Sequence, residues 1–288
     1  MLKIALPNKG RLADEARDLL RDAGLEIRAH SERALTASMG SEFEALFVRA
    51  QDIPEFVADG AADVGVTGWD LARESERPVR EVADLGFGRC RLAVATKDDS
   101  AVRSVQDMPA GSRVATTFPR VAARYFEDHG CRVEIVPISG AAEIAPHIGI
   151  ADAIVDLVST GSTLRVNGLR EIDTVLESTA RLIVAQISNR LDLIQREAVD
   201  ELAAALLSVL RARTQRYLMA NVPRDQMPLV RDIVPGLNGP TVIDILNSGT
   251  MVAVHAVVPA GGVYRTVSQL KALGAEGILI TRIERLMA

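Results

Sequence analysis

The chain has 288 residues, of which 48% are hydrophobic and only 3% aromatic, and this length favours two or three compact domains rather than one core. Its formal net charge is -5, and the 33 basic and 38 acidic residues are interspersed, which argues against a nucleic-acid-binding surface. The sequence has no membrane-spanning apolar run and no signal-peptide pattern, so we expect a cytoplasmic protein without a membrane partner.

The first two thirds of the chain alternate short apolar runs with amphipathic helical patterns, which predicts an α/β fold with parallel sheets. Strands are predicted at 2–6, 45–48, 63–67, 91–95, 113–116, 132–136, 153–155 and 181–187. Helices are predicted after Gly10, where Leu12, Ala16, Leu19 and Leu20 share one face, at 54–59, at 119–129 and from about Asn189 onward. A second βα series begins at residue 91, so two lobes with two crossovers between them are expected.

The pattern changes after about residue 213. It predicts strand 217–222, helix 224–233, strands 241–246 and 251–258, helix 263–273 and strand 277–283. This β-α-β-β-α-β order is that of a ferredoxin-like domain, which often serves binding and oligomerisation. A hairpin turn at Asn247-Ser248-Gly249 is predicted between the middle strands.

The segment from Asp152 to Thr163 combines an apolar strand, a carboxylate, a hydroxyl-rich loop and a helix expected to start at Leu164. Backbone N–H groups at a helix N-terminus bind anions, and Gly161 lets the backbone come close to a phosphate. Further donors are the hydroxyls of Ser159, Thr160, Ser162 and Thr163.

Asp156 precedes this loop and could accept hydrogen bonds from sugar hydroxyls or organise Mg²⁺ through water. The alternative is a Ser or Thr helix cap beside a strand-end carboxylate, with no ligand. Spacing alone leaves both open.

The amino-acid sequences of several segments resemble those of one protein family. Residues 149–171, GIADAIVDLVSTGSTLRVNGLRE, closely resemble the signature of ATP phosphoribosyltransferases. Similar agreement is found in PNKGRL at 7–12, RAQDIP at 49–54, GAADVGVTG at 60–68, TTFP at 116–119 and GAAEIAP at 140–146.

The resemblance implies an enzyme in which adenine N1 of ATP displaces pyrophosphate from C1 of phosphoribosyl pyrophosphate, the first step of histidine biosynthesis. Mg²⁺ is the implied cofactor. The implied fold is a two-lobed, periplasmic-binding-protein-like catalytic unit with a C-terminal ferredoxin-like regulatory domain. Lobe I would span 1–90 and 179–212, lobe II 91–178 and the regulatory domain 213–288.

The resemblance also implies roles for single residues. The loop 159–163 would hold the 5-phosphate, with Asp156 and Asp152 near the ribose. Arg49 would reach the leaving pyrophosphate, and Lys9 and Arg11 the other phosphates. Arg49 and Asp156 are the candidate catalytic residues. Glu143 would contact the ribose or the purine. A carboxylate that caps the first turn of a helix is an equally good explanation of this residue. The alternative interpretation of Arg49, taken without its neighbours, is a solvated surface charge beside a helix N-terminus. The direct metal ligands are not identified.

A C-terminal extension of this size resembles the long form of the family, which is inhibited by histidine and forms hexamers; the sequence leaves open whether such a hexamer exchanges with dimers. The residues that match its histidine pocket are Leu237, Gly239, Thr241 and Ala275. A plain Gly-Pro turn at 239–240 is the alternative.

Other functions remain open to the residue patterns alone. A two-lobed α/β chain is also typical of solute-binding proteins and of transcription-factor effector domains, although no DNA-binding element precedes it. Another phosphoribosyltransferase is a further alternative, but most of those carry two adjacent acidic residues, whereas Leu157 follows Asp156.

Overall fold

A computed structural model describes residues 1–28, 34–186, 192–246 and 249–287. The chain divides into two compact units, one of residues 1–21 and 25–200 and the other of 22–24 and 201–288. Ile187, the helix start near Asn189, and the turn residues Asn247 and Ser248 lie outside the described residues. The predicted boundaries of the lobes and of the regulatory domain stay predictions.

Lobe I contains a seven-stranded sheet in the order β2-β3-β4-β1-β5-β12-β6. Its strands are β1 (Leu2–Pro7), β2 (Ile27–Arg28), β3 (Thr36–Met39), β4 (Phe43–Val48), β5 (Val64–Gly68), β6 (Val79–Asp84) and β12 (Ala180–Ala185), and its helices are α1 (Arg11–Asp22), α2 (Ile53–Ala58) and α3 (Trp69–Ser75).

Strands β4, β1 and β5 of this sheet are parallel. Ile4 and Ala5 of β1 are fully buried, as expected for a strand covered on both faces. Gly65 of β5 allows α2 to pack closely, because a Cβ there would lie 2.5 Å from Cγ2 of Ile53.

Lobe II contains a five-stranded sheet in the order β11-β7-β10-β8-β9. Its strands are β7 (Cys90–Lys97), β8 (Ser112–Thr116), β9 (Val133–Pro137), β10 (Ala153–Val158) and β11 (Leu169–Ser178), and its helices are α4 (Pro119–Asp128) and α5 (Ser162–Val166). Strands β10, β8 and β9 are parallel, and β7 runs antiparallel between β10 and β11.

The chain crosses from lobe I to lobe II after β6 and returns after β11, so that β12 pairs with β5 and β6 inside the first sheet. Two α/β lobes joined by two crossovers are the predicted periplasmic-binding-protein-like architecture, which is confirmed. The long helix α6 (Leu193–Arg213) follows.

The C-terminal unit has a four-stranded antiparallel sheet in the order β14-β15-β13-β16. Its elements are β13 (Gln215–Pro223), α7 (Met227–Ile233), β14 (Thr241–Asp244), β15 (Met251–Pro259), α8 (Val263–Ala272) and β16 (Glu276–Arg282). Burial alternates along β15, and its buried residues share one core cluster with residues of α7 and α8, as expected for a sheet covered on one face. The predicted ferredoxin-like domain is confirmed.

Several local details differ from the sequence prediction. Strands β2, β3, β6 and β11 and helix α3 were not predicted, β10 extends three residues beyond 155, and α5 begins at Ser162 instead of Leu164. Among the residues that the structure describes, no helix is both long and apolar enough to cross a membrane.

Candidate active site

The hydroxyl-rich loop connects the end of β10 at Val158 to the start of α5 at Ser162. The N-cap of α5 is Gly161, with a left-handed φ of 74° and no side-chain cap hydrogen bond. The hydroxyls of Thr160 and Ser162 lie 2.9 Å apart and both side chains are exposed. The alternative of a Ser or Thr cap is present only as a 3.4 Å hydrogen bond from the Ser162 N–H to Oγ1 of Thr160, and the exposed hydroxyls can meet a ligand.

Two carboxylates join the loop in one cavity of about 430 Å³, which is lined by Glu143 and residues 156–164. Asp156 is half-buried, and the backbone N–H of Leu157 donates to its Oδ1 at 2.8 Å. Burial raises the pKa of the Asp156 carboxyl, the Leu157 hydrogen bond opposes this, and the charge of Glu143 adds to it. The cavity therefore combines hydroxyl donors with carboxylate acceptors.

Glu143 reaches this cavity from a single 3₁₀ turn, Ala142–Ile144. The residue before the turn, Ala141, has a left-handed φ of 53°, an uncommon conformation for a residue with a side chain. The turn does not continue into an α-helix whose first turn Glu143 would cap.

The predicted cations of lobe I, Lys9 and Arg49, lie where the parallel strands β1 and β4 end. Pro7 and Val48 are paired at the ends of the parallel strands β1 and β4, and Asn8 N–H donates to Val48 O at 2.8 Å. Lys9 and Arg49 therefore follow neighbouring strands at the same edge, and both are exposed. Neither of them lines the cavity at the hydroxyl loop.

Arg11 begins α1, and its Nε lies 3.4 Å from Oε1 of Glu15 on the next turn of the helix. It too is absent from the lining of the loop cavity. The structure therefore brings the three cations to one part of lobe I, and Glu143, Asp156 and the loop to one part of lobe II.

Asp152 is not brought to the loop. It precedes the opposite end of β10, and four residue steps along the extended strand place it about 13 Å from Asp156. Its Oδ2 accepts the Arg113 N–H at 2.8 Å, and it lines a separate cavity with Thr96 and Lys97. This placement supports a role in joining β8 to β10 rather than contact with the ribose.

Leu157 is a site residue that sequence reasoning missed. It is 41% exposed and lines the loop cavity beside Asp156, so it offers an apolar wall to a sugar or base. Strand alternation predicts that Leu157 and Asp156 point to opposite faces of β10, so the sequence pattern gave no signal that both line one cavity.

The sequence is similar to known proteins along its whole length. Residues 49–208 match the family model described as ATP phosphoribosyltransferase, and residues 212–285 match the model described as HisG, C-terminal domain. An ATP phosphoribosyltransferase of Gemmatimonas aurantiaca is 64% identical over 291 residues, covering 100% of both chains. The chain belongs to the ATP phosphoribosyltransferase family. A second relative of that name, from Methanocaldococcus jannaschii, is 45% identical over 289 residues and 100% of both chains.

A solved structure of the ATP phosphoribosyl transferase (HisG:HisZ) complex from Thermotoga maritima has a TM-score of 0.63 and 30% identity to this chain. The match covers 73% of this chain and 99% of the other. As an ATP phosphoribosyltransferase, the chain transfers a phosphoribosyl group to ATP in histidine biosynthesis.

No group of three or more His, Cys, Asp or Glu side chains that could hold a metal occurs among the described residues. The acceptors in the loop cavity of this ATP phosphoribosyltransferase are two carboxylates, Asp156 and Glu143. This is too few protein ligands for a dedicated Ca²⁺-type cage, but it fits Mg²⁺, which keeps several waters and is commonly held by one or two carboxylates plus substrate phosphates.

The residues predicted for histidine binding are divided between two edges of the C-terminal sheet. Leu237 and Gly239 lie in the turn before β14, which Thr241 begins, and β14 is one edge strand. Ala275 precedes β16, the opposite edge strand, and lines a cavity of about 380 Å³ with Lys271. Three interstrand spacings separate the edges by about 14 Å, so one chain does not bring the four residues together.

Proposed function

We propose that this chain joins N1 of the ATP adenine to C1 of phosphoribosyl pyrophosphate, releasing pyrophosphate, and that the loop cavity of lobe II holds the phosphoribosyl group. The observation that carries the proposal is the cavity itself, in which four exposed hydroxyls surround Gly161 beside Asp156 and Glu143. Family membership supports the reaction, and the cavity supports the site.

The 5-phosphate is assigned to the loop Ser159–Thr163. Hydroxyls and the N–H groups of a first helical turn donate hydrogen bonds to phosphate oxygens. The left-handed φ of 74° at Gly161 turns the backbone toward the ligand without the steric penalty that a side chain would bring.

The ribose hydroxyls are assigned to Asp156 and Glu143. Ionised carboxylates only accept hydrogen bonds, and ribose hydroxyls are donors. Because the two carboxylates of the cavity repel each other and Asp156 is half-buried, a ligand that supplies donors relieves an existing electrostatic penalty.

The leaving pyrophosphate is assigned to Arg49, with Lys9 and Arg11 on the other phosphates. Negative charge grows on the leaving group in the transition state, so positioned cations accelerate the step without a covalent nucleophile. Asp156 and Glu143 would face Mg²⁺ through water, and the ion would supply charge neutralisation on the pyrophosphate. Both lobes must contact the same substrate for this chemistry.

Regulation by histidine and assembly belong together in the proposal. The four candidate residues Leu237, Gly239, Thr241 and Ala275 lie on opposite sheet edges of one chain, so a site that uses all of them needs a second copy. A homo-oligomer, up to the hexamer expected for the long form and in exchange with dimers, supplies that copy. We place this enzyme in the cytoplasm, where ATP-dependent biosynthesis takes place.

The test is an assay of the full chain with ATP, phosphoribosyl pyrophosphate and Mg²⁺, following the absorbance of phosphoribosyl-ATP with pyrophosphatase present. We expect product only when all three are present, and none when GTP replaces ATP or a chelator is added. Histidine in a parallel series should slow the reaction. Calorimetric binding of phosphoribosyl pyrophosphate without any product would instead identify a binding module and overturn the enzymatic proposal.

A further inference from the structure

Helix α4 of lobe II begins without a cap from its own sequence. Its N-cap residue is Phe118, which has no side-chain acceptor, and its first helical residue is Pro119, which has no N–H. The first intrahelical bond runs from Ala122 N to Phe118 O. The N–H groups of Arg120 and Val121 therefore need acceptors from elsewhere.

Glu74 of helix α3 in lobe I supplies both acceptors. Its Oε1 accepts the N–H of Arg120 at 3.1 Å and its Oε2 accepts the N–H of Val121 at 3.0 Å. A carboxylate at this position also interacts favourably with the positive end of the helix dipole. The two unpaired donors of the α4 terminus are thus satisfied by one side chain from the other lobe.

The capping is reciprocal, because Arg120 of α4 contacts the C-terminal end of α3. Its Nη1 donates to the carbonyl oxygens of Glu74 at 3.1 Å and Ser75 at 3.4 Å, and its Nε lies 3.6 Å from Oε2 of Glu76. A cation is the favourable group at a helix C-terminus. Apolar packing accompanies these bonds, since Leu71 of α3 packs against the lobe II core cluster that includes Phe118.

Both helices start at the sheet edges that carry the proposed substrate groups. Helix α4 follows β8, whose Thr116 pairs with Val155, the residue before Asp156. Helix α3 follows β5, which pairs in parallel with β1, the strand that precedes Lys9. A bond between α3 and α4 therefore connects the cation-bearing edge of lobe I to the loop-bearing edge of lobe II.

We propose that Glu74 and Arg120 are positioning residues that latch the two lobes, so that the phosphoribosyl loop and the lobe I cations are held at a fixed separation. This inference rests on the proposed function for its kinetic consequence, but the latch itself is independent of it. If the latch is broken, the lobes separate more often, and only the closed fraction binds substrate productively.

The consequence is a specific kinetic pattern. A protein whose competent state is only partly populated binds its ligand more weakly by that fraction. Saturating substrate draws the open lobes closed, so KM for both substrates should rise together while kcat stays close to the wild-type value. A variant that is merely misfolded in part loses active molecules, which lowers kcat and leaves KM unchanged.

The test uses the full chain in four variants, of which Arg120→Lys is the conservative rescue of Arg120→Ala. Glu74→Gln keeps the side-chain size but turns an amide N–H₂ toward one of the backbone donors, and Arg120→Ala removes the contacts with α3 while keeping its own backbone N–H. Glu127→Gln, at an exposed position on α4, is the matched control. Hydrogen exchange of residues 118–122, read by mass spectrometry, is measured beside steady-state kinetics.

We expect exchange in residues 118–122 to become about tenfold faster in Glu74→Gln, the effect of losing roughly one capping interaction. KM for ATP and for phosphoribosyl pyrophosphate should rise about three- to tenfold in Glu74→Gln and Arg120→Ala with kcat within about twofold. Arg120→Lys, which retains a cation for the α3 carbonyls, should restore part of the loss, and Glu127→Gln should match wild type.

Three results would overturn the inference: unchanged exchange in Glu74→Gln, unchanged KM in both variants, or a fall in kcat at constant KM. Failure of the proposed function is distinguishable from these. In that case wild-type protein forms no product, while the exchange measurement still decides whether Glu74 caps α4.

Discussion

The hydroxyl of Ser178 donates a 2.5 Å hydrogen bond to Oδ1 of Asp70, a buried carboxylate 108 residues away in the chain. Ser178 is the last residue of β11 and Asp70 lies in the first turn of α3, so the bond joins the return crossover to lobe I. The backbone N–H of Asp70 in turn donates to Ser178 Oγ at 3.0 Å. Burial raises the pKa of the Asp70 carboxyl, and the Ser178 hydrogen bond opposes that shift.

Removing this hydroxyl should destabilise the catalytic unit. Ser178→Ala leaves a buried carboxylate without its side-chain donor, which typically costs about 1–3 kcal/mol, and urea unfolding at neutral pH followed by circular dichroism measures it. Ser75→Ala is the matched control, because that hydroxyl donates to Ala72 O and accepts the Arg77 N–H at 3.2 Å, so its removal leaves no buried carboxylate without a donor and should matter less. Equal losses in the two variants would contradict the assignment.

The pH dependence of the same site follows from the raised pKa of Asp70. The stabilisation from a raised folded-state pKa is present below the unfolded value near 4 and is lost as pH rises through the folded value. Asp70→Asn cannot ionise, so its free energy of unfolding should rise relative to that of wild type as the pH increases from acid to neutral. If the difference in the free energy of unfolding between Asp70→Asn and wild type stays constant over that pH range, Asp70 is not a buried carboxylate that ionises there.

Asp156→Asn should separate function from stability. Loss of the carboxylate should lower kcat/KM by about a hundredfold, the scale of removing one preorganised electrostatic contact. Because the pKa of Asp156 is raised, its ionised form opposes folding at neutral pH, and the variant should melt at a higher temperature than wild type.

Calorimetry at two pH values checks the sign of the change in melting temperature caused by Asp156→Asn. The melting difference should be largest near neutral pH, should shrink as pH falls through the raised pKa of folded Asp156, and should be gone below the unfolded value of about 4. Near wild-type turnover in Asp156→Asn would remove this residue from the proposed site.

Gly161→Ala should weaken binding of phosphoribosyl pyrophosphate. Alanine at a left-handed φ is strained by roughly 1–2 kcal/mol, so the loop backbone would have to shift, and its methyl group would lie 3.4 Å from Nη1 of Arg165. The KM for phosphoribosyl pyrophosphate should rise about tenfold or more, while calorimetry should show ATP binding unchanged.

Gly130→Ala is the matched control for backbone strain. Gly130 has a similar φ of 68°, and a methyl group at this position would have no atom within 4 Å. The variant should lose comparable stability without a change in KM. If both variants bind phosphoribosyl pyrophosphate equally well, the loop does not hold the phosphate.

Arg49→Ala should slow product formation by about ten- to a hundredfold, because a cation near the leaving pyrophosphate is lost. Its remaining activity should also depend less on salt, since one screened interaction is gone. Arg80→Ala, at an exposed position in β6, is the control and should behave as wild type in the same initial-rate assay. Identical rates for the two variants would rule Arg49 out.

Histidine should inhibit the full chain without competing with either substrate. If bound histidine weakens substrate binding by a given factor, bound substrate should weaken histidine binding by that same factor, which paired calorimetric titrations can measure. Ala275→Val, which adds two methyl groups beside the cavity of about 380 Å³, should weaken histidine at least about tenfold.

The control for that variant is Ala272→Val, at an exposed position near the end of α8. Both variants should keep the uninhibited rate of wild type. The absence of histidine binding to the intact wild-type chain would contradict the regulatory proposal altogether.

The sequence predicted what depends on local pattern. Nearly continuous apolar runs gave β1 and β10, and the residues of the loop 159–163 carry their donors wherever they lie. Polar strands were missed, because β11 reads Leu-Arg-Glu-Ile-Asp-Thr-Val-Leu-Glu-Ser with two register shifts against β7, which breaks the alternation on which strand prediction rests.

The sequence could not predict which residues far apart in the chain come together, for a different reason. The burial of Asp70 depends on Ser178, and the separation of Thr241 from Ala275 depends on a strand order that does not follow chain order. Asp152 and Asp156 flank the predicted strand 153–155, so the sequence already places them at its opposite ends, but it does not show that Asp152 accepts the Arg113 N–H. Local spacing contains no information on such pairings.

The position of β12 has a consequence for how the chain is made. This strand lies between β5 and β6 in the first sheet but follows the whole of lobe II in the sequence. During synthesis from the N-terminus, the first sheet must wait with an open gap until residue 185 has left the ribosome. Lobe II can complete its own sheet earlier, so the second lobe in the sequence is expected to be the first to finish folding.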